Sequence, residues 1–140
     1  MSKVYVFLAD GFEEIEGLTV VDLLRRAGIE TITVSVMGRE KIIGSHRIPV
    51  TADTLIGKVH PTKEDMLVLP GGMPGTLHLG DCEGLKGFLM KAAEENGRIA
   101  AICAAPTVLG KLGLLNGRKA ICYPGMEDGL TGAEVTVEPV

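Results

Sequence analysis

The sequence has 140 residues, which is enough for one domain around a single hydrophobic core. A hydrophobic fraction of 46% excludes a disordered chain, and 18 acidic against 14 basic side chains, with no run of lysine or arginine, argue against nucleic-acid binding. No apolar run is long enough to cross a membrane and no signal peptide is recognisable, so a cytoplasmic protein without membrane contact is expected.

The first half of the chain predicts two strands, a helix and a hairpin. Residues 4–9 form a continuous apolar run, which is typical of a strand covered on both faces. Residues 13–27 have apolar side chains at helical spacing. The side chains expected to face inward are Ile15, Leu18, Val21 (or Val20) and Leu24. The β-branched residues 31–36 predict a second strand, and residues 40–53 predict a short hairpin at an edge.

The second half predicts further strands and two helices. The strands are expected at residues 66–69, 99–102 and 119–122. Residues 83–95 have the spacing of an amphipathic helix, and another helix is expected at residues 106–112. The inward side chains of the first of these helices are expected to be Leu85, Phe88, Leu89 and Ala92. An extended segment is expected over residues 133–140 and stops abruptly, and residues 1–140 are expected to form a single domain.

Repeated strand–helix units with short connections predict right-handed crossovers and an α/β fold with a doubly wound parallel sheet. Such sheets carry their functional residues at the carboxyl ends of the strands. Four groups are therefore expected at one edge of the sheet: the glutamates after the first strand, the glycine turn after the third, Cys103, and Cys122 with Tyr123.

Cys103 is the candidate nucleophile. It lies at a strand-to-helix turn between small residues, as a nucleophile elbow requires. A helix N-terminus beside it is expected to lower the pKa of the thiol, and backbone N–H groups there can hold an oxyanion. The alternative is a small core cysteine packed among alanines. With Cys82 and Cys122 the cysteines are odd in number and lack metal-type spacing, so neither disulfides nor a metal site are expected.

Three other features have both a functional and a structural interpretation. Residues 71–75, Gly-Gly-Met-Pro-Gly, either present N–H groups to an anion or form a strained turn without a ligand. Glu16 differs in helical phase from Glu13 and Glu14 and can reach the thiol as an acid–base group. Glu13 and Glu14 are expected to be solvated partners of the helix dipole, and the alternative for Glu16 is the same role. The Tyr123 hydroxyl is either a donor above the site or part of a half-buried loop.

Three ordered motifs resemble a known family. They are residues 9–16 (ADGFEEIE), residues 69–72 (LPGG) and residues 101–107 (AICAAPT). Together they resemble the ThiJ/PfpI superfamily, and most closely its Parkinson-disease-protein branch, along essentially the whole chain. The resemblance implies a flavodoxin-like fold of the class I glutamine amidotransferase type and a homodimer. No cofactor is expected.

The resemblance also implies roles for individual residues. Cys103 matches the nucleophile of the family, and Glu16 matches its acid partner. The candidate oxyanion and substrate contacts are Gly72 and Ala104 from the resemblance, and Gly71 and Tyr123 from their place at the strand ends.

Two departures from the family pattern have consequences. Several members have a histidine where this chain has Tyr123, so a Cys-His peptidase dyad is not expected; the histidines present are His46, His60 and His78. Members also continue beyond a segment like 135–140 into another strand and a closing helix. The chain is therefore expected to be a truncated or cleaved product that lacks the last strand and helix.

The functional prediction is a cysteine-dependent enzyme of the glyoxalase or deglycase type with a role in oxidative stress. Its expected substrates are reactive 2-oxoaldehydes such as methylglyoxal, or their early adducts. One alternative is a redox-sensing, chaperone-like protein that responds to peroxide through Cys103 without turnover. Another is an intracellular cysteine peptidase or amidase. A flavin-binding protein is disfavoured because few aromatic side chains are available for stacking.

Overall fold

A computed structural model describes residues 2–139 of the chain. Its strands are β1 (Val4–Leu8), β2 (Thr31–Ser35), β3 (Lys41–Ile43), β4 (Pro49–Thr51), β5 (Thr54–Leu55), β6 (Met66–Leu69), β7 (Arg98–Ala101), β8 (Lys119–Ala120) and β9 (Glu134–Val135). Its helices are α1 (Glu14–Arg26), α2 (Gly75–Asp81), α3 (Glu83–Glu94) and α4 (Pro106–Lys111), with 3-10 turns at Ile56–Lys58 and Glu127–Gly129.

Five parallel strands form the central sheet, in the order β5-β2-β1-β6-β7. β1 lies in the middle, where Val4 is opposite both Thr31 of β2 and Met66 of β6. Every residue of β1 is buried, as its continuous apolar sequence predicts for a strand covered on both faces. The doubly wound α/β fold expected from the sequence is therefore confirmed.

Helices cover both faces of this sheet, so there are two hydrophobic cores. Side chains along β1 point alternately into one core and the other. Phe7 points into the larger core, which it shares with Leu79 of α2, Leu89 of α3 and Val108 of α4. The next position, Leu8, points into the smaller core. That second core contains buried side chains from α1 and from the turn before it, namely Val21 and Phe12.

The hairpin expected at residues 40–53 is present as β3 and β4, which pair antiparallel. It lies beside the start of α1, because Gly11 donates its N–H to the carbonyl oxygen of Ile43 at 2.8 Å, and Ser45 donates to Phe12 at 2.8 Å. The hairpin thus reaches the carboxyl end of β1, where the functional residues were expected. Within residues 2–139, no helix is long and apolar enough to span a membrane.

Three expectations were wrong in detail. Ile15 is 74% exposed, because Glu14, one position earlier, takes the inward place in the first turn of α1. Helix α2 was not predicted, because no structure was assigned between the glycine turn, which ends at Gly75, and the helix expected from residue 83. The strand expected at residues 119–122 is only β8, and it pairs with β9 in a separate two-stranded sheet instead of joining the central one.

Candidate active site

Cys103 lies on the sharp turn between β7 and α4. Its backbone has φ of 61°, a left-handed conformation that is uncommon for a residue with a side chain. The turn is closed by a hydrogen bond from the Ala105 N–H to the carbonyl oxygen of Ile102 at 3.0 Å. The Tyr123 N–H donates to the carbonyl oxygen of Cys103 at 2.7 Å and so fixes the turn from a distant part of the chain.

Glu16 and the glycine turn meet at this cysteine. The Gly71 N–H donates to Oε1 of Glu16 at 3.2 Å. A Cβ atom on Gly71 would lie 2.7 Å from both Cys103 Cβ and Glu16 Oε1, too close for either contact. Only glycine therefore allows β6, α1 and the cysteine turn to converge at this point.

Gly72 is fixed in a conformation that glycine adopts easily and other residues do not. Its φ is 96°, and a Cβ atom there would lie 2.4 Å from the backbone nitrogen of Glu13. The hydroxyl of Thr76 and the Thr76 N–H both donate to the Gly72 carbonyl oxygen at 2.9 Å. The Gly72 N–H is thereby held in place near the thiol.

The pKa of the Cys103 thiol is raised, principally by burial and then by the negative charge and hydrogen bond of Glu16. The backbone N–H groups of Ala104 and Gly72 act in the opposite direction, because they stabilise the thiolate. The sequence argument predicted a lowered pKa and was wrong in direction. α4 begins only at Pro106, and burial with the Glu16 charge outweighs the donors at this turn.

Tyr123 contributes its backbone to the site rather than a buried side chain. The side chain is 57% exposed. The neighbouring Cys122 has its pKa raised by burial and then by the charge of Glu127. Cys82 lies between α2 and α3 and packs against the larger core.

Glu14 has an environment that the sequence did not indicate. Its carboxylate is buried, and it accepts hydrogen bonds from the Ser45 hydroxyl at 3.1 Å, the His46 N–H at 2.9 Å and the Ile48 N–H at 3.4 Å. Burial alone would raise the pKa of Glu14, but hydrogen bonds from its own N–H and from His46 and Ile48 lower it to about 2. The expectation of a solvated Glu14 was therefore wrong.

One signal in the sequence points to this arrangement. A Cβ atom on Gly44 would lie 2.3 Å from the Glu14 carboxyl carbon, so glycine is needed for the hairpin to close over the glutamate. Glu13, by contrast, has the expected role at the helix start, because its Oε1 accepts from the Ile15 N–H at 3.5 Å.

A cavity of about 670 Å³ lies between α2 and α4. Met73 and Gly125 line one end of it, next to the glycine turn and to Tyr123 respectively. Lys86 and Lys111 line it elsewhere, so its wall carries charged side chains. Cys103 and Glu16 are outside this lining.

Comparisons with known proteins agree with this geometry. The model of the DJ-1/PfpI family matches residues 2–140. Protein dj-1beta of Drosophila melanogaster is 42% identical over 132 residues, which are 93% of this chain and 70% of that protein. A deglycase of Pyrococcus horikoshii is 35% identical over 134 residues, which are 95% of this chain and 79% of that protein.

Solved structures show the same likeness. The structure of oxidised DJ-1 from Toxoplasma gondii superimposes with a TM-score of 0.86 at 40% identity. The match covers 91% of this chain and 70% of that one. The family match, the sequence similarity and the fold agree, and the chain belongs to the DJ-1/PfpI family.

Proposed function

We propose that the chain is a cysteine-dependent enzyme of the glyoxalase or deglycase type. Its substrates are reactive 2-oxoaldehydes such as methylglyoxal, or their early adducts with amines. The supporting observation is the meeting of a nucleophile, a carboxylate and two N–H donors: Cys103 with Glu16, Gly72 and Ala104. The name of the Pyrococcus horikoshii relative, a deglycase, favours the same class of reaction.

The first step is capture of the aldehyde. The Cys103 sulfur attacks the aldehyde carbon, a C–S bond forms, and the carbonyl electron pair moves to oxygen. The N–H groups of Gly72 and Ala104 stabilise this oxygen as it becomes negative. The Cys103 proton passes to Glu16, which already hydrogen-bonds the thiol. Glu16 then gives this proton to the oxygen, which produces a hemithioacetal and leaves Glu16 as a carboxylate.

The second step moves a proton between adjacent carbons. The Glu16 carboxylate removes the proton from the carbon that carries sulfur, which gives an enediol, and returns it to the neighbouring carbon. The product is a thioester of lactate on Cys103. Water hydrolyses it, releases lactate and regenerates the thiol. One carbon is oxidised and its neighbour reduced, so no external oxidant is needed.

The raised pKa of Cys103 has a consequence for this mechanism. The thiol is mostly protonated at neutral pH, so the reaction needs a base beside it, and Glu16 is that base. The rate is expected to increase with pH as the thiolate fraction increases.

The test is glutathione-free conversion of methylglyoxal to lactate by purified protein. We expect turnover that Cys103→Ser abolishes. Cys82→Ser and Cys122→Ser are matched controls, because each removes one thiol away from the elbow, and both should retain activity. Absence of lactate, or activity that persists in Cys103→Ser, would refute the proposal.

A redox-sensing role is the second candidate. The Gly72 and Ala104 donors that hold an oxyanion would equally hold the oxygen of an oxidised sulfur. Oxidised DJ-1 of Toxoplasma gondii is the related structure that favours this candidate. Protein that forms no lactate while peroxide readily oxidises Cys103 would support the sensor. A peptidase is disfavoured, because the residue that reaches the elbow after β8 is Tyr123, which cannot act as the base of a Cys-His dyad.

A further inference from the structure

The β3–β4 hairpin brings an imidazole onto the first turn of α1. His46 Nδ1 lies 3.1 Å from Glu14 Oε1 and 3.5 Å from Glu13 Oε1. Donor atoms that share one ion at about 2.0–2.2 Å stand roughly 3.0–3.5 Å apart in tetrahedral or octahedral geometry. The imidazole nitrogen thus has the separation from each carboxylate that a common ion requires.

The buried ligand of this trio is already oriented. Glu14 Oε2 accepts from the His46 and Ile48 N–H groups. Oε1 accepts from the Ser45 hydroxyl and the His46 N–H, and it also lies 3.1 Å from His46 Nδ1. The absence of a Cβ atom on Gly44 is what lets the hairpin approach this closely.

The outer side of the trio is open to solvent in the single chain. The His46 side chain is 66% exposed and the Glu13 side chain 27% exposed. An ion bound here would therefore have three protein ligands and free positions for water. A hydrogen bond now joins Nδ1 to Glu14 Oε1, and Glu13 Oε1 lies 3.5 Å from the same nitrogen. A metal would take the place of the proton on Nδ1, which is released to water.

We propose that Glu13, Glu14 and His46 form a binding site for a divalent transition-metal ion, with Zn²⁺ as the preferred cellular ion. One imidazole and two carboxylates suit Zn²⁺, whereas Mg²⁺ favours sites made of oxygen atoms alone. The ion would join the hairpin to α1. It would lie next to the candidate active site, since the Glu13 N–H donates to the Gly71 carbonyl oxygen at 2.9 Å.

The test is calorimetric titration of the Cys103→Ser protein with Zn²⁺. The serine removes the candidate nucleophile as a competing ligand, and it keeps the result independent of the proposed enzymatic activity. We expect one ion per chain, with no competition from Mg²⁺. His46→Asn should weaken binding more than about tenfold, because the amide can still donate to Glu14 but is a poor metal ligand. Glu13→Gln should also weaken it, while retaining an oxygen to cap α1.

His60→Asn is the matched control, since it removes an exposed histidine elsewhere and should leave the affinity unchanged. Co²⁺ provides a second readout, because its visible absorption reports nitrogen coordination and should be lost in His46→Asn. The proposal is overturned if the protein shows no saturable Zn²⁺ binding. It is equally overturned if His46→Asn and Glu13→Gln bind as tightly as their parent.

Discussion

Replacing Glu16 with glutamine should separate two effects of one carboxylate. Its negative charge raises the pKa of Cys103, so Glu16→Gln should lower that pKa and speed alkylation by iodoacetamide near neutral pH. The amide cannot accept and return a proton, so methylglyoxal turnover should fall about 10²–10⁴-fold. The pH profile of alkylation and the rate of lactate formation measure the two effects on the same samples.

Asp22→Asn is the control for a general loss of negative charge. Asp22 is an exposed carboxylate on the same helix, where it pairs with Arg26. It should alter neither alkylation nor turnover. A Glu16→Gln protein that keeps full turnover would remove Glu16 from the mechanism.

Glu14→Gln should destabilise the fold, and the loss should be smaller in acid. The amide has one acceptor oxygen where the carboxylate has two, so an N–H group must face some of the donors from Ser45, His46 and Ile48. An unsatisfied buried donor costs about 1–3 kcal/mol. The folded pKa of about 2 lies below the usual 4.5, so the carboxylate contributes fully above about pH 4.5. That contribution is lost as the pH falls through about 2. Urea unfolding of both proteins at neutral pH and near pH 3 measures how much free energy of unfolding the substitution removes. A loss that is larger near pH 3 would contradict the prediction.

For single residues, the sequence predicted where the site residues lie better than it predicted what surrounds them. Cys103 and Glu16 follow strands that are plain from their apolar runs, so sheet geometry alone predicts that they approach each other. The direction of the Cys103 pKa depends on how burial and Glu16 balance two N–H donors, which no local pattern shows. Glu14 and His46 are distant in sequence, so only the folded hairpin shows that they meet.

At the scale of secondary structure, two helical glycines should respond oppositely to the same substitution. A Cβ atom on Gly110 of α4 would lie 2.1 Å from the backbone carbonyl oxygen of Gly129, and backbone cannot move aside cheaply. Gly110→Ala should therefore destabilise by about 1–3 kcal/mol. Gly87 of α3 has open space around the same position, so Gly87→Ala should stabilise by about 0.5–1 kcal/mol. Thermal unfolding measures the stability of both variants. If both alanines stabilise the protein, the Gly129 backbone moves aside and the prediction for Gly110 is contradicted.

The elements that the sequence located well are those with strong periodicity. β6 is a continuous apolar run and lies where expected, and α3 buries Leu85 and Leu89 as its spacing predicts. α2 has a short sequence with a glycine at its first position, so periodicity gave no signal there. β8 was recognised as a strand, but its partner β9 is fixed by tertiary folding rather than by its own residues.

For the whole molecule, we predict a homodimer through the outer surface of α1. Ile15 and Leu23 of this helix are 74% and 59% exposed, and Ile48 in the adjacent hairpin is 49% exposed. Grouped exposed apolar side chains are typical of an interface. Leu23→Glu should shift the molecular mass in light scattering toward the monomer. Leu77→Glu, at a 52% exposed leucine of α2, is the control and should leave the mass unchanged. Equal masses for both variants would contradict the prediction.

The fold class followed from alternating strands and helices, because right-handed crossovers leave few other topologies. An interface is harder to predict. Ile15 fits the inward helical pattern as well as Leu18 does, and only the structure shows that Ile15 faces solvent.

At Cys103, activity and stability favour different residues, because the thiol is needed where the backbone is left-handed. A φ of 61° favours glycine, and a side chain in such a conformation costs on the order of 1–3 kcal/mol. Random substitution without selection for the thiol would therefore gain stability by replacing this cysteine with glycine, and the nucleophile would disappear. A chain that keeps cysteine here retains a local weakness for the sake of its chemistry. In directed evolution, screening for stability alone is expected to discard the thiol early, and screening for turnover is expected to select compensating mutations elsewhere.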